Sequence, residues 1–143
     1  MIAVREQIFG AVEQLLATVP TVLEVERMPS GDPAKFNALH LFDEGDQLVD
    51  GEAGTSRWAL NLGIDGYVQG GSGAEAHAAL NQLAAGVVEV LFAEPVLGGL
   101  ASEIELERMT VTVAERASAR RLAFSMDLII HYATRRGMPQ IID

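Results

Sequence analysis

The last third of the chain contains the pattern that most restricts its fold. Between residues 122 and 132, apolar residues alternate with other residues, most of them polar. The apolar set is Leu122, Phe124, Met126, Leu128, Ile130 and Tyr132. Because successive side chains of a β-strand point to opposite faces, this spacing predicts a strand with one buried and one polar face. The chain therefore needs a sheet and a layer that covers one side of it.

Two amphipathic helices are predicted to form that layer. The first spans about residues 2–18 and ends before Pro20, whose ring prevents continuation. At the start of the second, Ser72 and Glu75 have the spacing of a capping box, in which each side chain bonds to the backbone at the other residue. Its apolar stripe is Leu80, Leu83, Val87, Val90 and Leu91.

An abrupt corner joins the second helix to a strand in the stretch LFAEPVLGGLASEIEL, residues 91–106. The apolar spacing changes there from three or four residues to two, and Pro95 and a glycine pair lie between the two patterns. Farther along, the apolar alternation changes parity near Glu107 and Arg108. A parity change inside one strand predicts a β-bulge.

These elements predict an α+β fold, with an antiparallel or mixed sheet of about five strands and two helices packed on one face. Three strands are predicted before the second helix, at residues 21–27, 36–44 and 57–68, and residues 114–119 are predicted to join the last two strands. A single domain is expected over residues 1–136, followed by a loose C-terminal tail at 137–143. The apolar faces are expected to be buried within each subunit, which leaves the polar faces for neighbours.

The composition excludes several classes of protein. The 143 residues are 49% hydrophobic and carry a net charge of −10, which indicates a globular protein whose surface repels nucleic-acid phosphates. Cysteine is absent, which removes disulfides, thiolate metal sites and a cysteine nucleophile. The first residues do not resemble a signal peptide, and no stretch is expected to cross a membrane.

No short motif indicates an active site. The three histidines, His40, His77 and His131, are far apart and have no ligand partner at helical spacing. The acidic segment 43–52 does not have the ligand spacing of a calcium loop, and the glycine-rich segment 63–73 lacks a nucleotide-binding fingerprint. No catalytic residue, cofactor or metal site is therefore predicted.

An enzymatic or ligand-binding module is the alternative from a different class of protein. Asn61, Asp65, Asp127 and His131 all project from polar strand faces. If the fold brought them together in a pocket, they would form a small polar site.

The charged residues are separated along the sequence, which permits head-to-tail contacts between copies. The candidate interface residues are Asp43, Glu44, Asp46, Asp50, Glu52, Arg116, Arg120, Arg121, Arg135 and Arg136. The acidic segment 43–52 is predicted to be a loop that is mobile in the isolated subunit and becomes ordered on assembly.

Several stretches together resemble the tail-terminator and minor tail proteins of long-tailed bacteriophages, and their equivalents in prophages and gene transfer agents. They are REQIFGAVEQLLATVP, ERMP, FNALHLFDEGD, RWALNLGIDGYVQG, ALNQLAAGVVEVLFAEPVLGGLASEIEL and FSMDLIIHYATRRGMP. The LGGLA stretch is the most characteristic, although Glu94 stands where the family often has Asp. The resemblance covers nearly the whole chain.

This resemblance implies a structural protein without enzymatic activity. Six copies would form a ring on the tail tube, stop its polymerisation and provide the surface for the head connector. DNA would pass through the ring without specific binding. The protein would lie at the neck end of the virion tail after assembly in the bacterial cytoplasm. The alternative within the same setting is a neck or head-tail completion protein.

Overall fold

A computed structural model describes residues 1–113 and 120–143 of the chain. It contains helices α1 (Val4–Leu16) and α2 (Gly73–Ala93) and six strands. The strands are β1 (Glu24–Arg27), β2 (Ala38–Asp50), β3 (Thr55–Gly70), β4 (Glu103–Val113), β5 (Arg120–Arg135) and β6 (Met138–Ile142). The predicted hairpin connection at residues 114–119, with Arg116, lies outside the described residues.

The six strands form one mixed sheet in the order β1-β2-β3-β5-β4, and β6 pairs with β5 beside this path. β1 is parallel to β2, whereas the other neighbouring pairs are antiparallel. The predicted α+β class with a mixed sheet and two helices is therefore confirmed.

Both helices pack on the same side of the sheet, which we call the helix face; the other side is the open face. The even-numbered apolar residues of β3 and β5 are buried in one cluster with the stripes of α1 and α2. A close approach fixes one position in this core: the ring of Phe124 lies across Gly66, where any Cβ would collide with it. The alternation in the sequence therefore identified the face that the helices cover.

The sequence predicted how α2 begins, how it ends and where the next strand is irregular. Ser72 accepts a hydrogen bond from the backbone N–H of Glu75 and caps the start of the helix, whereas the Glu75 carboxylate accepts from the backbone N–H of Gly71 instead of that of Ser72. At the other end, a 3₁₀ turn follows, and Gly98 and Gly99 take φ values of 67° and 97°, which glycine adopts without strain. The predicted bulge of β4 is also present, as a register shift between Leu106 and Arg108.

Two segments are more regular than predicted. Residues 43–50 are not a loop but continue β2, with register shifts between Asp43 and Asp46 and between Leu48 and Asp50. The expected loose tail also forms a strand, β6, which pairs with β5 after a turn at Gly137. Pro139 in β6 lacks a backbone N–H, and an edge strand tolerates that loss.

By length and composition alone, α2 is apolar enough to cross a membrane, contrary to the expectation that no stretch would be. Its apolar stripe is buried on the sheet, with Leu80, Leu83 and Val87 each at most 1% exposed. Packing in the core of the protein accounts for the composition of this helix.

Candidate interaction surfaces

A cluster of charged side chains connects α1 to the helix face of the sheet. Arg5 donates hydrogen bonds to both carboxylate oxygens of Asp43, and its Nε lies 3.1 Å from Asp46. The hydroxyl of Tyr132 on β5 also donates to Asp46. Two of the predicted interface carboxylates therefore have partners within their own subunit.

The electrostatics of this cluster follow from those contacts. Hydrogen bonding to Arg5 lowers the pKa of Asp43 below its ordinary value, and the same bond raises the pKa of Arg5. Burial, followed by the hydrogen bond to Asp46, raises the pKa of Tyr132. The ion pair is therefore charged at neutral pH, and it holds the first turns of α1 against β2.

Glu44 has a different environment, on the open face at the register shift of β2. Its carboxylate lies over Gly63, where a side chain would displace it. Desolvation raises its pKa, and the nearby charges of Asp127 and Asp65 raise it further. The three carboxylates form an acidic cluster on the open face of β2, β3 and β5.

The remaining predicted interface residues do not form one acidic and one basic region. Glu52 is exposed and lies 3.9 Å from Arg57, and Asp50 is opposite Arg57 in the ladder. Arg135 is opposite Thr55 at the same end of the sheet, where the backbone N–H of Arg136 also bonds to Gly54. The acidic segment and these two arginines are therefore neighbours.

The other arginines lie at the far end of β5. Arg120 is opposite Gly70 in the ladder, and the guanidinium of Arg121 lies 5.0 Å from the centre of the Phe36 ring. At about 3.3 Å per residue, β5 separates the two arginine groups by roughly 45 Å. An interface role for each group stays a prediction.

The four polar residues of the enzymatic alternative do not converge. Asp65 is opposite Ser125, whereas His131 lies six residues farther along β5, a separation of about 20 Å along the strand. His131 pairs with Glu105 at 3.1 Å, and Asp127 lies 3.5 Å from Arg108. The sheet therefore distributes these groups along its open face.

Sequence reasoning did not predict the burial of His40. It is 1% exposed, its Nε2 lies 2.7 Å from Glu24, and its ring meets Tyr67 edge to face. Glu24 also accepts the backbone N–H of Ala34, and its pKa is lowered mainly by the bond to His40. This pair fixes the irregular segment 28–37 to β1 and β2. His40 and Glu24 lie on different strands, so no local sequence pattern indicates that they pair.

The outer edges of β4 and β1 have no further strand on them among residues 1–113 and 120–143. Large apolar side chains at these edges are 41–67% exposed. They are Leu106, Met109, Val111 and Val113 on β4, and Leu23 and Met28 beside β1. The expectation that every apolar face is buried within the subunit is therefore wrong at β4. The ladder places the first three of these β4 residues opposite buried residues of β5 and Val113 opposite the partly buried Leu122, but all four remain exposed.

The comparisons with known proteins identify no family. No family model matches the chain, and no curated protein matches it. Among solved structures, it resembles a chain described as "Virion of native gene transfer agent (GTA) particle", with a TM-score of 0.42 and 12% identity over 90% of this chain and 92% of that chain. A superposition of that quality does not establish a shared fold and carries no argument about function.

Proposed function

We propose that the protein is a structural subunit of a phage-like particle and acts as the tail terminator. Copies form a ring, six in number, on the end of the tail tube, stop its polymerisation and present a surface to the head connector. The sequence stretches that resemble the tail-terminator family give this specific role. The exposed apolar residues on the free edge of β4 are the observation that carries the assembly role.

The free edge of β4 has two properties that favour assembly, namely unpaired backbone groups and exposed apolar side chains. An edge strand presents unpaired N–H and C=O groups, and natural proteins usually protect such edges when the protein is monomeric. β4 has eleven residues and carries four exposed apolar side chains. Contiguous apolar area at an open edge is typical of a surface that another chain covers.

The open face of the sheet suits the passage of DNA. It carries the acidic cluster of Glu44, Asp65 and Asp127, and the whole chain has a net charge of −10. A ring with this face towards its channel repels phosphates, which prevents DNA from binding there during ejection.

Electron microscopy of particles produced without this protein tests the proposal. Abnormally long tails are expected, because tube polymerisation then has no stop. Tails of normal length that are not attached to heads would contradict the terminator role and support a neck or head-tail completion protein. Complementation with the wild-type gene is the control and should restore the normal tail length.

A further inference from the structure

We propose that β4 of one copy pairs antiparallel with β1 of a second copy, so that the sheet continues from subunit to subunit. The inference deepens the proposed assembly role and rests on it for the identity of the partner. The two edges concerned are the free edges of the same sheet, and they lie on opposite sides of the subunit.

The strand directions favour this contact. β1 is parallel to β2, and the successive pairs β2–β3, β3–β5 and β5–β4 are antiparallel. β4 and β1 therefore run in opposite directions within one subunit. When two copies stand side by side in the same orientation, β4 of one meets β1 of the next as an antiparallel pair. The helix faces then stay on the same side, and repetition of this contact by rotation closes a ring.

The register across the sheet aligns exposed apolar residues on both edges. Val111 is opposite Phe124, which is opposite Gly66, and this row continues through Leu39 to Val25. Two residues farther along, Val113 is opposite Leu122 and, beyond it, Val68. Leu23 immediately precedes β1 and donates its backbone N–H to the carbonyl of Asn37, next to β2. If the alternation continues past the end of β1, Leu23 has the height of Val113 on the helix face. The side chains of Val113 and Leu23 are 67% and 63% exposed. Neighbouring copies in register therefore place Val113 against Leu23 and Val111 against Val25.

Charge on the open face agrees with the same register. Thr110 is at the height of Glu26, because the row runs through Ser125, Asp65 and His40. Arg108, two residues from Thr110, is then the diagonal neighbour of Glu26 in the other copy. Its side chain is 71% exposed, although its Nε lies 3.5 Å from Asp127 of its own subunit, and Glu26 is exposed as well. Opposite charges at diagonal positions stabilise an antiparallel pair.

A second copy satisfies both edges at once. The β4 edge provides apolar residues and a cation, whereas the β1 edge provides Leu23, Val25 and the anion Glu26. A two-fold pairing of β4 with β4 of another copy would cover the β4 edge alone. That arrangement leaves Leu23 and Glu26 uncovered.

Disulfide cross-linking tests the pairing, and the absence of native cysteine makes it specific. Purified L23C and V113C are mixed and oxidised in the full-length protein. Opposite residues of an antiparallel pair are close enough for a disulfide. The mixture should therefore shift from the subunit mass of 15.3 kDa to twice that mass on a non-reducing gel, and each variant alone should not. T112C mixed with L23C is the matched control and should stay uncross-linked, because Thr112 points to the open face.

The outcomes separate this inference from the proposed function. Oligomers that form in solution without the Leu23–Val113 cross-link would overturn the strand pairing and leave the terminator role standing. Cross-linking of V113C alone would indicate a β4–β4 contact and would also overturn the pairing, as would a monomer at every concentration. Formation of the predicted cross-link, together with normal tail length in particles without the protein, would overturn only the terminator role.

Discussion

At the scale of single residues, the ion pairs distinguish carboxylates that hold the subunit together from those that are available to partners. Asp43 and Asp46 are occupied by Arg5 and Tyr132. Glu44 lies instead near the carboxylates of Asp65 and Asp127, and among the described residues no cation lowers its pKa. Neighbouring acidic residues of one segment therefore have opposite effects on stability.

Substitution of Arg5 by alanine should destabilise the protein by about 1–2 kcal/mol, because it leaves two partly buried carboxylates without their cation. Chemical denaturation at pH 7 measures this. The folded-state pKa of Asp43 is lowered, so the pair contributes fully above the ordinary pKa of an aspartate and is lost as the pH falls through the lowered value. The difference between wild type and variant should therefore shrink below about pH 4. The exposed Arg136→Ala is the control, with a change under about 0.5 kcal/mol. Equal effects of the two variants would contradict the assignment.

Substitution of Glu44 by glutamine should stabilise the protein at pH 7 by roughly 0.5 kcal/mol, since it removes a charge beside Asp65 and Asp127. The pKa of Glu44 is raised in the folded state. Its ionised form therefore lowers stability above that value, and the gain should disappear below the ordinary pKa of a glutamate. Thermal unfolding across pH measures this, with the exposed Glu89→Gln on α2 as the control. A loss of stability at pH 7 would show that Glu44 is stabilising where it stands.

At the scale of elements, periodic patterns predicted structure well where burial is continuous. β3, β5, the cap of α2 and the corner after it all have strong local patterns, and each is present. The second half of β2 was not predicted as a strand, because its carboxylates bond to Arg5 on α1. Arg5 and Asp43 are 38 residues apart in sequence. β6 is short and contains Pro139. Partners that are distant in sequence decide such segments.

Hydrogen exchange distinguishes the strand from the mobile loop that composition suggested. Amides of residues 43–50 that bond to β3 should exchange more slowly in the isolated subunit than those of the irregular segment 28–37, by about tenfold or more. The measurement is peptide-level exchange at a concentration where the protein is monomeric. Equal, fast exchange in both segments would restore the mobile loop.

At the scale of the whole molecule, one side of the sheet faces the core and the other carries the acidic cluster of Glu44, Asp65 and Asp127, while the two outer strands present apolar side chains. The alternation predicted the first feature and a polar opposite face, but the sequence did not predict the acidic cluster on that face. It did not predict the third, because the alternation of Met109, Val111 and Val113 indicates a shared face but not where the helices end. The extent of coverage depends on how α1 and α2 are placed across the sheet, which is a property of the complete fold.

The mass of the purified protein in solution, measured over a wide range of concentrations by sedimentation, tests most directly whether this chain acts by joining copies of itself. The mass should rise from the subunit value of 15.3 kDa towards six times that value as concentration increases, or when tail tubes are added. A mass of one subunit at every concentration, with tail tubes or without them, would contradict the account.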